Sequence, residues 1–490
     1  TLRRCIAASV NVEFIHNFSI IPILPLHPKK GVKVMMKNNS ATINVLRDGN
    51  MMKSLVKMGL PMVISMLIMA VYNIADTFWV SHLGTIPIAA VSIVFPFALI
   101  FTGVGLTFGV GGGVFVSRLL GKKKLDEASV VASVSVLTAF MSGIFIMTFC
   151  NLFIHRILCY MGADDASINI AIGYGRLFTV CCAIGVFNVA SANIFVSQGA
   201  SKVSATAMIT GAVVNMGLVP LFIYIFGLGV NGSTYANIAS QLITALIYCW
   251  HYSRKTIIKV SPRLFKPTLA IYAEVLKIGI AMLFLQVFQA MSISLMQKAS
   301  AKYGNEAVAA IGIVLKIVTL GSNIVYGFVK GFQPIAGYNY SAGNYPRLKQ
   351  AIRWSLVLTT SYCILWTVVI FSFSTSIIGW FGEDVNMQKT AAEALNINTI
   401  MFFTLGFQFV YAAFYMSAGM GLHSLLLNVS RQGIIFIPII LILPTYWGLR
   451  GVLYTPMVAD LLSTILTLFY AFKAKSVLYN KENPINIRMR

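Results

Sequence analysis

Long apolar stretches alternate with short polar ones along almost the whole chain after about residue 55. Twelve of them, at roughly 57–81, 87–116, 128–154, 167–197, 203–226, 232–252, 272–297, 306–336, 350–378, 389–417, 423–446 and 451–473, read as helices. Each is long enough to cross about 30 Å of hydrocarbon. The polar connections carry charge unevenly. Arg118 and Lys122 to Lys124 follow the second stretch, and Arg254, Lys255, Lys259, Arg263 and Lys266 follow the sixth. Arg347, Lys349 and Arg353 follow the eighth, and Lys473, Lys475, Lys481, Arg488 and Arg490 follow the twelfth. The intervening loops hold little: His82, then Arg156 beside Asp164 and Asp165, then no charge in "GLGVNG". Basic loops stay on the cytoplasmic side, so both termini are expected there, in a multi-pass protein of the cytoplasmic (plasma) membrane.

The pattern also repeats at a distance of about 220 residues. The stretch that starts at Met58 aligns with the one that starts at Lys277, setting Gly59 opposite Gly279, Gly84 opposite Gly304, and Ala89-Ala90 opposite Ala309-Ala310. "FVSQGASKVSA" from Phe195 answers "YMSAGMGLHSL" from Tyr415, and "GVNG" at Gly229 answers "GLRG" at Gly448. The expected fold is all-α and polytopic, with about twelve transmembrane helices in two pseudo-symmetric six-helix lobes around a central cavity. Secondary transporters are built this way, which makes transport the leading expectation.

Composition agrees: 58% of the residues are hydrophobic and 10% charged, against about 25% charged in soluble domains. The net charge of +23 raises nucleic acid as a partner, but no basic face with interleaved aromatics appears, so none is expected. The seven cysteines lie mostly inside apolar stretches without metal spacing and read as core packing, with no metal site. Residues 1–52 differ from the rest. "FSIIPILPLHP" is short and proline-broken, and the segment reads as a flexible or misassigned leader ahead of Met35, Met36, Met51 or Met52. A first lobe is then expected over 53–253, a basic cytoplasmic linker over 254–271, a second lobe over 272–474 and a cytoplasmic tail over 475–490. Pro61, Pro96, Pro220, Pro334, Pro438 and Pro456 interrupt the apolar stretches, as do the glycines of "GVGLTFGVGGG". They mark hinges or ordinary close packing.

An ionisable group inside a bilayer is costly, so each one is a functional candidate. Two acids qualify. Asp76, in the outer half of the first stretch, is either an interfacial carboxylate or one that faces an internal cavity and binds and releases a proton. Asp460 in the twelfth either takes part in coupling or pairs with a basic partner such as Arg431. Asn215 and Asn237, in the fifth and sixth stretches, offer amide oxygens to a hard cation or bonds to a neighbouring helix. Among the basic residues, Lys330 and Arg431 are expected to reach toward the cytoplasmic side. Lys316 is expected deeper, sharing a cavity with Gln286, Gln289 and Gln333 or satisfied by backbone carbonyls. There is no HExxH, phosphate loop or DDxxD, so no enzymatic activity is expected.

Four segments resemble one family. "YNIADTFWVSHLG" (Tyr72 to Gly84), "AAVSIVFP" (Ala89 to Pro96), "SRLLGKKKLDEA" (Ser117 to Ala128) and "GFQPIAGYNYSAGNYPRLKQA" (Gly331 to Ala351) are similar to the multidrug and toxic compound extrusion (MATE) transporters. The likeness spans roughly 55–473, and within the DinF-like branch it is greatest to MepA-type multidrug exporters. It implies two six-helix lobes and export of cationic, amphipathic drugs in exchange for Na⁺ or H⁺, with no bound cofactor. It implies further that Asp76, Asn215 and Asn237 form the ion-coupling site, Asn237 standing where the family has Thr. The family's second acid in the fifth stretch is here Val219, and the NorM-like Glu of the seventh has no counterpart near Gln286. Losing that acid removes a hard ligand and a charge from any Na⁺ site, so H⁺ coupling is expected. Cavity and substrate candidates are Gln286, Lys316, Gln333, Arg431 and Asp460. The expected partners are small cationic molecules and the lipid bilayer, with the monomer as the working unit. A lipid-linked sugar flippase of the same superfamily and a membrane receptor are the alternatives.

Overall fold

A computed structural model of the chain describes residues 46, 47, 50–81, 83, 85–160, 168–254, 257–379 and 385–482. Most of the leader falls outside them, as do His82, Gly84, Asp164, Asp165, Lys255, Arg488 and Arg490. Twelve long helices account for nearly all of the described chain. The first six are α1 (Met51–Ser81), α2 (Thr85–Gly121), α3 (Leu125–Tyr160), α4 (Ile168–Ser197), α5 (Ser201–Pro220) and α6 (Gly229–Ser253). A π-helical turn, Leu221–Ile225, extends α5 beyond Pro220, whose missing N–H breaks the regular ladder. The second six begin with α7 (Leu269–Ala301), α8 (Asn305–Ser341) and α9 (Tyr345–Gly379). Next, α10 runs through Val385–Ile400, the 3₁₀ turn Phe402–Thr404 and Leu405–Ser417. Last come α11 (Gly421–Val429, the π turn Ser430–Ile434, then 436–447) and α12 (449–482). Gly448, with φ 58° and ψ −137°, separates α11 from α12.

Among the described residues, ten stretches are long and apolar enough to cross a membrane. One of these, Gly421–Lys475, contains both α11 and α12, and the more polar α6 completes the twelve. Large apolar side chains lie exposed along the helices, among them Phe145, Leu152, Leu246, Leu365 and Phe472. This is the surface that lipid covers.

The backbone repeats where the sequence does. Gly199 and Gly419 take φ of 89° and 79°, and Gly229 and Gly448 take 56° and 58°. The turn after α2 uses Lys123 at φ 60° where its partner after α8 is Gly343 at φ 74°. Lys123 is the one non-glycine residue with positive φ among the described residues, a position that disfavours a side chain.

The two sixes are also joined reciprocally. On α2, Gly111 lies so close to α7 that a Cβ would strike the Val275 carbonyl, and a Cβ on Gly279 of α7 would strike that of Thr107. On α8, Gly331 and Gly327 press on the α1 backbone at Gly59 and Val63 in the same way. Each lobe's second helix therefore crosses the other lobe's first, with glycine at the crossing.

At the end where α1 begins, further contacts tie the lobes. Gly121 of α2 abuts Tyr338 of α8, and Gly337 of α8 abuts Ser117. Arg118 Nη1 lies 3.1 Å from Glu274 Oε2 on α7. The linker crosses this same end as a strap over α3 and α4. Ile258 N donates to Gln198 Oε1 at 3.4 Å, Lys259 N to Ser129 Oγ at 3.3 Å and Ser261 N to Ser133 Oγ at 3.2 Å.

Candidate functional site

Asp76 lies half-buried in the last third of α1. Ser233 at the start of α6 donates its hydroxyl to Asp76 Oδ1 at 2.9 Å. One turn along α6, Asn237 Nδ2 donates to Ser233 Oγ at 3.4 Å. Asn237 Oδ1 accepts two bonds, from Tyr72 Oη of α1 at 2.6 Å and from Asn215 Nδ2 of α5 at 2.8 Å. Asn215 Nδ2 also reaches Ser240 Oγ at 3.2 Å. The donors run in one direction, from Asn215 through Asn237 and Ser233 to the carboxylate, and they pin α1, α5 and α6 together. Helical spacing makes this possible, since Tyr72 precedes Asp76 by four residues and Ser233 precedes Asn237 by four.

Asp76, Asn215 and Asn237 thus share one hydrogen-bonded cluster. Sequence reasoning did not assign Tyr72, Ser233 or Ser240 to it, although the i, i+4 polar spacing within "YNIAD" and "STYAN" was visible. Val219 stands one turn from Asn215, fully buried in an apolar group with Val80, Ile223 and Ala236. The position of the missing acid is therefore a dry wall. Asn215 Oδ1 is buried without a hydrogen-bond partner, so beyond the carboxylate the cluster offers one unused amide oxygen.

The second lobe differs. Asp460 of α12 is buried and receives Arg431 of α11, with Nε 2.5 Å from Oδ1 and Nη2 3.4 Å from Oδ2. Gln408 of α10 donates to the Asp460 carbonyl at 3.2 Å and to Thr464 Oγ1 at 2.9 Å. Arg431 Cζ lies 5.9 Å from the centre of the Phe409 ring. Arg431 sits in the π turn of α11, whose Gln432 carbonyl accepts from Ser292 of α7. The expectation that Arg431 extends toward the cytoplasmic side is corrected, because a buried carboxylate holds it inside. Lys330 turns inward as well: its ammonium lies 5.4 Å over the Tyr326 ring, since Gly327 and Gly331 bring that part of α8 into the bundle.

The remaining candidates are scattered. Gln286 of α7 is half-buried beside Gly103 of α2. Gln333 is half-buried near Met416 and lines a pocket of about 20 Å³ with Gly109, Ser117 and Asn193, room for about one water molecule. Lys316 is exposed. It precedes Gln333 by 17 residues on one helix, a rise of about 25 Å, so the two do not share one contact site.

Known proteins share this sequence pattern and fold. The chain is 24% identical over 422 residues to the multidrug export protein MepA of Staphylococcus aureus strain MSSA476, covering 86% of this chain and 93% of that protein. It superposes with a TM-score of 0.85 and 25% identity on a structure described as the outward-facing conformation of a multidrug resistance MATE family transporter of the MOP superfamily, covering 90% and 99% of the two chains. A MOP superfamily transporter of Pyrococcus furiosus, described as having a binding pocket of reversed polarity, matches with a TM-score of 0.84 and 25% identity over 89% and 98%. The MatE family profile matches residues 61–221 and 263–442. Two repeated six-helix lobes, a profile match to each of them and full-length structural likeness agree: the chain belongs to the MatE family, the multidrug and toxic compound extrusion transporters.

Proposed function

We propose that the protein is a proton-coupled antiporter that exports hydrophobic cations across the plasma membrane by alternating access. The observation that carries this reading is the donor chain ending on Asp76. An ionised Asp76 accepts a charge-assisted bond from Ser233 and holds α1 to α6. A proton on the carboxyl weakens that bond and loosens α1 from the start of α6, leaving the Tyr72–Asn237 bond as the remaining tie. Proton occupancy thereby acquires a differential affinity for two arrangements of the lobe, which is what coupling requires.

A proton is favoured over Na⁺ by the inventory of oxygens. Among the carboxylate and amide oxygens, Asn237 Oδ1 already accepts two bonds and Val219 supplies none, which leaves the carboxylate and Asn215 Oδ1. Such a pair is a poor cage for a hard cation that prefers about six oxygens. The MepA relatives bear the name of multidrug export proteins, and this supports a drug substrate. Basic residues at the ends of α2, α6 and α8 support cytoplasmic termini. The lobes, tied at that end by Arg118–Glu274 and the α2–α8 contacts, would rock about the glycine crossings.

The test is dye efflux from proteoliposomes with ΔpH and ΔNa⁺ imposed separately. Efflux is expected with ΔpH alone and to collapse when ΔpH is abolished. Robust Na⁺-driven efflux that is indifferent to ΔpH would overturn the proton assignment.

A further inference from the structure

Two half-buried cations of the second lobe, Arg431 and Lys330, stand in different situations. Arg431 is matched by both oxygens of Asp460. Lys330 makes no hydrogen bond and no ion pair with any described residue. Its neighbour one turn earlier on the same face, Tyr326, makes no hydrogen bond through its hydroxyl either. Both side chains are half-buried. Two donors thus stand a helical turn apart, half-buried and without an acceptor among the described residues, positioned to meet a negative group. Behind them Tyr326 packs edge-on against Phe409, ring centres 5.9 Å apart, and Phe409 in turn carries Arg431. This is an apolar aromatic wall beside a cationic tip.

We propose that Lys330 and Tyr326 form a subsite for the carboxylate of an amphiphilic substrate. Lys330 supplies the charge, the Tyr326 hydroxyl the second donor, and the Tyr326–Phe409 wall receives the apolar body. Asp460 does not compete for Lys330, because Arg431 occupies it. The proposal rests on reading the chain as a drug exporter and names a substrate class for it beyond simple cations.

The test uses purified full-length protein and a matched pair of dyes: rhodamine 6G, a carboxylate ester, and rhodamine 19, the same xanthene with the free acid. Equilibrium binding by fluorescence anisotropy gives a Kd for each, for the unaltered protein, K330M and K330R. K330M is expected to weaken the acid by about tenfold or more while the ester stays within about twofold, and K330R to restore the acid. Equal losses for both dyes, or none for either, would overturn the subsite. Because binding needs no gradient, selective loss of the acid would stand even if proteoliposome efflux failed. Normal ester efflux with no Lys330-dependent acid binding would sink the subsite and leave the exporter intact.

Discussion

The two lobes hold Asp76 and Asp460 in opposite ways. In the first, Asp76 is half-buried and faces neutral donors only, a hydroxyl backed by two amides and a phenol. In the second, Asp460 is buried beneath a guanidinium that grips both its oxygens, and its own carbonyl is claimed by Gln408. Gln408 lies 220 residues after Asn188, which bridges α4 to α6 at Gln241 as Gln408 bridges α10 to α12. The frame is therefore shared and the charge is not. Asp460 falls where the first lobe has Gln241, and its counter-charge, Arg431, belongs to the same chain. A carboxylate that always has its cation cannot report a gradient. The difference suggests that one lobe senses and the other is fixed.

The sharpest break of this contrast is at Asp76. Asp76→Asn keeps the shape and is expected to reduce gradient-driven efflux by more than about a hundredfold, because coupling and not packing is removed. Its thermal unfolding should stay within a few degrees of the unaltered protein. An Asp76→Asn variant that pumps at the normal rate would place the sensor elsewhere. The second lobe should answer in the opposite currency. Asp460→Asn strands Arg431 in the interior and is expected to destabilise by about 3–5 kcal/mol, seen as a large fall in Tm or in expression. Pairing it with Arg431→Met should recover most of that loss and restore efflux. If the double variant is stable yet inactive, the ion pair belongs to the transport cycle and the contrast fails. Ser233→Ala should have the smallest effect. It removes one charge-assisted bond of about 1.5–3 kcal/mol, so the pH at which efflux is half-maximal should move while the maximal rate holds. An unchanged pH profile would detach Ser233 from the carboxylate.

Much of this was legible in the residues. The repeat was readable because glycine is demanded wherever two backbones cross or φ turns positive: Gly59 with Gly279, and Gly229 with Gly448, fall on such places. The Arg431–Asp460 pair was foreseeable as one of two readings, since a buried acid has few partners to choose from. Less was readable where side-chain direction decides. Lys330 looked like a residue reaching for the surface, but its ammonium lies back over Tyr326 one turn earlier on α8, where Gly327 and Gly331 hold that helix against α1. Tyr72, Ser233 and Ser240 are ordinary helix residues in sequence and become a network only because three helices converge. The apolar setting of Val219 followed the same logic: its identity was plain, its neighbours were not.

The reciprocal glycine crossings also bear on how the chain is made. Gly59 and Gly111 have bare backbone faces that α8 and α7 cover, and the covering residues leave the ribosome about 270 and about 165 residues later. At about 5–20 residues per second, these faces wait in the bilayer for roughly 8–55 s before their partner surfaces exist. During that interval lipid tails or an insertion factor must shield the seam. The strap over α3 and α4 is synthesised just before α7, so it can fasten the finished half to the membrane surface while the second is still emerging.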